Sequence, residues 1–173
     1  MADHLVDVVD DQDVVIGQDL KSNKLSKNFI SRIVAIMLFD SKNNMILCRR
    51  ADHKINAAGK YDLAACGNVE AGESYDQAAK REFKEETNLD CKLELLDKFY
   101  QTTEYSDKSY RIFCAVYRAI SDEPLSLNHE LVEVKKIKID DLVKDLEENP
   151  QNYCPGFVND FKQVKDKIIS DFC

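Results

Sequence analysis

Two short β-prone runs open the chain, LVDVV at 5–9 and DVVIG at 13–17, on either side of a polar turn at Asp10 to Asp13. Apolar and β-branched residues flanking a short acidic turn predict a hairpin, an N-terminal extension over about 4–17. After the polar stretch QDLKSNKLSKN come two more apolar runs, RIVAIMLFD and MILCRR, joined by the loop SKNN, which predicts a second hairpin. A polar loop over Asp52 to Lys60 and the segment YDLAACGN lead into the region where helix signals are strongest. Ser74 and Gln77 have the S-x-x-Q spacing of a capping box, in which each side chain satisfies a backbone donor of the first turn. Ala79 and Phe83 repeat at i, i+4, and Asn88 suits the left-handed position that ends a helix, so the pattern predicts a helix over 75–87.

Beyond that helix CKLELLDKFYQTTEY, SYRIFCAVYRAI and VEVKKIKI read as strands, the last through its period-two alternation. Asp140 is placed to cap a helix over DLVKDLEEN that stops before Pro150, and past Pro155 the residues Phe157, Phe161, Val164, Ile168 and Phe172 form a helical stripe over about 156–171 that predicts core packing. Strands on both sides of a central helix, with helices at the end, predict an α/β (α+β) chain with a mixed sheet between helical layers. No repeat, low-complexity tract or Pro/Gly/Ser-rich linker interrupts it, so one domain over 1–173 is expected.

Composition narrows the function classes. The 173 residues are 44% hydrophobic and 32% charged, which suits a folded core and a soluble surface. The longest apolar run, Ile33 to Phe39, is far short of the roughly 20 residues of a spanning helix, so no membrane partner is expected. An acidic N-terminus is unlike a secretory signal, and the expected location is cytoplasmic. With 24 basic against 32 acidic residues the net charge is −8, which argues against a broad basic face for a nucleic-acid duplex. The six cysteines are far apart, without a CxxC or CxxH pairing, and read as reduced thiols.

The chemistry concentrates in GNVEAGESYDQAAKREFKEETNL, Gly67 to Leu89. Glu82, Glu85 and Glu86 stand at i, i+3 and i+4, so the predicted helix projects three carboxylates from one face. Oxygen-rich clusters of this kind are what Mg²⁺, Mn²⁺ or Ca²⁺ require. The alternative is a solvated acidic face offset by Lys80, Arg81 and Lys84.

The order Gly67, five residues, Glu73, seven residues, Arg81-Glu82, Phe83, one residue, Glu85-Glu86 and then Leu89 resembles the Nudix box, GX5EX7REUXEEXGU with U apolar. It departs at Asn88, where the family has glycine, a mild change because asparagine tolerates positive φ. The resemblance implies a Nudix-type α/β/α sandwich and a hydrolase that cleaves a phosphoanhydride in a small-molecule nucleoside diphosphate derivative, with Mg²⁺ or Mn²⁺ as cofactor. It further implies that Glu82, Glu85, Glu86 and the main-chain carbonyl of Cys66 hold metal, and that Glu73 and Arg81 pair to orient the loop on the helix. A general base is implied among the box glutamates or at Glu130 or Glu133. Arg50 is implied as a phosphate contact, Tyr105 as a substrate-stacking residue, and a homodimer as the assembly.

YDLAACGNVEAGES is also similar to a segment of isopentenyl-diphosphate isomerase, a Nudix-fold enzyme with a catalytic cysteine at the position of Cys66. That isomerase also needs a histidine two residues after the cysteine, where this chain has Asn68, and a glutamate pair on the strand after the helix, where SYRIFCAVYR has no acid. Three readings therefore stand: a metal-dependent hydrolase, an isomerase using Cys66, and a non-catalytic nucleotide-binding module.

Overall fold

The computed structural model describes residues 3–54, 56–105, 108–125 and 131–172. Its elements run β1 (Leu5–Val9), β2 (Val15–Leu20), a single helical turn α1 (Lys24–Lys27), β3 (Ser31–Phe39), β4 (Asn44–Arg50), β5 (Tyr61–Asp62), β6 (Ala65–Asn68), α2 (Tyr75–Thr87), β7 (Leu93–Tyr105), β8 (Lys108–Ile120), β9 (Leu131–Lys138), α3 (Ile139–Glu148) and α4 (Pro155–Phe172).

β3 is the spine of a mixed seven-stranded sheet in the order β5-β4-β3-β8-β7, with β9 added to β4. It runs parallel to β8 along its whole length, from Ser31 opposite Ile112 to Phe39 opposite Ile120. Its other edge is shared, because Ile33–Ile36 pair with β6 and Leu38–Phe39 pair with β4. The sheet therefore forks between β6 and β4, and the fork is where the site lies.

Alternation along β3 sends its side chains to two cores. Val34, Ile36 and Leu38 meet Ala78, Ala79 and Phe83 of α2 on one face. Ala35, Met37 and Phe39 meet Leu142 of α3 and Phe157, Phe161 and Val164 of α4 on the other. The expected sandwich of a mixed sheet between helical layers is present. α2 begins at the Ser74–Gln77 capping box and ends at Asn88 with φ of 59°. The expectation for α3 is corrected: its N-cap is Lys138 without a side-chain cap, and Asp140 sits inside the first turn, where its charge faces the positive end of the helix dipole. β9 passes straight into α3, so no loop leaves room for a capping residue at 140.

The N-terminal hairpin extends to Leu20 and braces the box loop. The Ala71 N–H donates to the Leu5 carbonyl at 3.0 Å and the Gly72 N–H to Asp7 Oδ2 at 3.2 Å. Asp13, with φ of 64°, accepts from Arg32 and Lys98 at 2.6 Å each and from the Tyr75 hydroxyl at 3.1 Å, tying the hairpin turn to β3, β7 and α2. No helix among the described residues is long and apolar enough to cross a membrane.

Candidate active site

Arg81 organises the box. Its Nε and Nη2 each donate to one Glu73 carboxylate oxygen at 2.8 Å, a bidentate pair. Nη2 also donates to the Asn68 carbonyl at 3.0 Å and Nη1 to Glu82 Oε1 at 2.8 Å. One guanidinium thereby joins the loop, β6 and α2. The bonds from Arg81 hold Glu73 below the usual carboxylate range, and the same bonds raise Arg81. The Glu70 N–H, donating to Glu73 at 2.9 Å, completes the loop.

The glycine at 67 is demanded by close approach. Its backbone does not have the positive φ that Gly59 and Gly72 show, but a Cβ there would fall 1.9 Å from Glu82 Cδ. In β6 the side chains of Cys66 and Asn68 alternate away from α2, so position 67 faces the helix and Glu82 packs flat against it. Gly67→Ala is expected to leave the fold intact, because a glutamate side chain can swing aside, while lowering turnover by about 10- to 100-fold through a displaced Glu82. Equal kcat and KM in the variant and the parent would remove the reason given for this glycine.

Glu86 lies on the same side, where its Oε2 accepts the Cys66 N–H at 3.0 Å. The Glu85 side chain is 61% exposed and 3.6 Å from Arg81. Among the described residues no three His, Cys, Asp or Glu side chains gather closely enough to hold a metal. Like charges at helical spacing repel, and here Arg81 draws Glu82 aside while the Cys66 amide draws Glu86. The donors are nevertheless all hard oxygens on one helix face, which is the chemistry Mg²⁺ selects. The Glu82 carboxylate is already seated on the glycine strand.

On the opposite side of β6 a cavity of about 610 Å³ opens between the fork and α4, lined by Cys66, Asn68, Asp62, Gln101 and Asp160. A cleft of about 60 Å³ borders Glu86 and shares Arg50, Asp62, Leu63 and Cys66 with that cavity. Cavity and glutamates thus meet at Cys66. Arg50 Nη1 is 3.2 Å from Asp62 Oδ2 and its Nε donates to the Asn56 carbonyl at 3.2 Å, which fixes the guanidinium at that junction. Burial pushes Asp62 up despite Arg50. Asp160, on α4, is pushed up to about 7 by burial, and its Oδ1 accepts from Gln101 Nε2 at 2.6 Å. Cys66 is exposed to the cavity, and desolvation by the surrounding protein, with Asp62 and Asp160 nearby, raises its thiol well above the ordinary range. That direction is the opposite of the lowered thiol of an activated nucleophile.

Glu133 is 3.3 Å from Arg49 and accepts from the Tyr61 hydroxyl at 2.7 Å. Its neighbour Val134 packs with the α2-side core, so alternation places Glu133 on the face away from α2. Glu130 and the side chain of Tyr105 lie outside the described residues. The structure adds Asp62, Gln101, Asp160 and Lys24 to the cavity wall. A signal existed for Asp160 alone, since it falls between Phe157 and Phe161 in the apolar stripe of α4, where a carboxylate has no place in an ordinary core.

The NUDIX domain family model matches residues 30–155. The uncharacterised Nudix hydrolase PA4841 of Pseudomonas aeruginosa is 33% identical over 153 residues, covering 87% of each chain. An isopentenyl-diphosphate Delta-isomerase of Serratia proteamaculans is 27% identical over 164 residues, covering 94% of this chain and 92% of its own. The crystal structure of DR0079 from Deinococcus radiodurans superimposes with a TM-score of 0.76 at 20% identity, over 93% of this chain and 99% of that one. With the box glycine seated on Glu82, Arg81 clamping Glu73 and a family match over most of its length, this chain belongs to the Nudix family.

Proposed function

We propose that the protein is a divalent-metal-dependent hydrolase that cleaves a pyrophosphate bond in a nucleoside diphosphate linked to another moiety. The observation that carries this reading is the convergence of Glu86 and the 610 Å³ cavity on one short stretch of chain at Cys66. A cavity of that size takes a nucleotide-sized ligand, and the shared cleft lets its diphosphate reach the acidic face of α2.

Glu82, Glu85, Glu86 and the Cys66 carbonyl would hold Mg²⁺, which supplies Lewis acidity toward phosphate oxygens and acidifies water. The protein's own part is positional. Arg81 and Glu73 hold the loop and Glu82 in register, Arg50 offers a cation at the cleft, and the cavity gives the remainder of the substrate a wall to lie against. A glutamate of the box or Glu130 would serve as general base, since Glu133 is turned to the other face of the sheet and held by Arg49 and Tyr61.

The test is phosphate release from nucleoside triphosphates, nucleotide sugars, dinucleoside polyphosphates, coenzyme A and NADH, with Mg²⁺, with Mn²⁺ and with chelator. Turnover of at least one class that disappears with chelator is expected. A folded protein silent with every substrate and metal would end the hydrolase reading. The isomerase remains a second reading because Cys66 faces the cavity, and proton exchange into isopentenyl diphosphate that is lost in Cys66→Ala would establish it.

A further inference from the structure

Lys24 stands out among the charged side chains that the fold encloses. It lies on the helical turn α1, only 9% exposed, on the wall of the 610 Å³ cavity. Its Nζ donates to Asn68 Oδ1 at 3.1 Å and sits 5.8 Å from the centre of the Tyr110 ring. Both partners are neutral, and no carboxylate pairs with Lys24 among the described residues. Lys21, on the same cavity wall, adds like charge.

A buried ammonium with no anion is costly, and a leucine or methionine would fill the same space without that penalty. Three of the five charged residues besides Lys24 on this wall, Asp3, Asp62 and Asp160, are acids, and two of these are engaged elsewhere: Asp3 accepts from Ser22 and Asp62 pairs with Arg50. Asp160 is occupied by Gln101. Lys24 is thus a cation on the cavity wall with no carboxylate partner among the described residues.

We propose that Lys24 is an anion-binding residue of the cavity, taking a phosphate oxygen of the substrate independently of metal. The inference rests on the hydrolase reading only in taking the ligand to be a diphosphate. Burial and Lys21 lower the ammonium to about 8, so it is still a cation at pH 7. An ammonium already desolvated in this way binds phosphate strongly, since less hydration remains to be stripped when the anion arrives. The Asn68 amide orients it without neutralising it.

The test uses inorganic pyrophosphate in chelator at pH 7, followed by calorimetry on the full chain, so that the metal-binding glutamates contribute nothing. Lys24→Met is expected to weaken pyrophosphate binding tenfold or more, and Lys24→Arg to restore part of it. Asn68→Asp gives the lysine an internal carboxylate while leaving it in place, and the same loss is expected there, which decides the matter if Lys24→Met fails to fold. Wild-type protein that binds no pyrophosphate without metal, or equal affinity in Lys24→Met and Asn68→Asp, would overturn the assignment. Failure of the hydrolase reading is seen separately, as absent metal-dependent turnover in a protein that still binds pyrophosphate through Lys24.

Discussion

Glu86→Gln is expected to lower metal-dependent turnover by at least about 100-fold and to leave the unfolding midpoint where it was. Glutamine keeps an oxygen for the Cys66 N–H that Glu86 accepts at 3.0 Å, so the link between α2 and β6 survives while the charge is lost. Glu85→Gln should lose activity to a similar degree for the same reason, with still less structural consequence, because its side chain is 61% exposed. Removing one of three like charges from a helix face is worth a few tenths of a kcal/mol in favour of the fold. Activity and stability are thus expected to move independently. Steady-state phosphate release and urea unfolding on the same preparations check this, and full turnover in both variants would show that the α2 acids do no chemistry.

Asp160→Asn is expected to stabilise the protein at alkaline pH by on the order of 4 kcal/mol. The carboxyl is raised from 3.8 to about 7 by burial, with only the Gln101 amide and Cys114 to offset it. The folded protein therefore holds this proton more tightly than the unfolded chain. Its stabilising contribution is complete below the unfolded value of 3.8 and is lost as pH rises through 7. Asparagine mimics the protonated form at every pH and can still accept from Gln101. Urea unfolding should show the full gap at pH 8 and about half of it at pH 5.5. A gap that does not change with pH would mean that Asp160 is not the group that titrates. In the wild-type protein below pH 7 the neutral carboxyl faces the cavity as a hydrogen-bond donor, beside the acceptor and donor of Gln101.

The elements read most sharply from the chain were those whose signals are local. Helix α2 falls at Tyr75–Thr87 because Ser74 and Gln77 cap each other across one turn and Asn88 takes the left-handed conformation next to it. The strands after the box follow from runs of β-branched and aromatic residues. Where a boundary depended on what an element touches, the sequence misled: Asp140 has the right chemistry for a cap, yet α3 begins at Ile139, directly on the end of β9. QDLKSNKLSKN is polar apart from Leu20 and Leu25, yet its first residues continue β2 and its middle forms helical turns on the cavity wall.

Residue type and spacing alone placed three carboxylates on one helix face and marked Gly67, Glu73 and Arg81 as their companions, because i, i+3 and i+4 geometry is a property of any helix. Only the tertiary structure decided that Gly67 is required by contact with Glu82, that Glu133 lies across the sheet from α2, and that Cys66 faces the cavity. Lys24 meets Asn68 across 44 residues, and Asp160 meets Gln101 across 59. Neither pair has a local period to betray it. Burial and partner choice are set by how the sheet forks and which helix covers the gap, and that information resides in long-range packing, not in any one window of the chain.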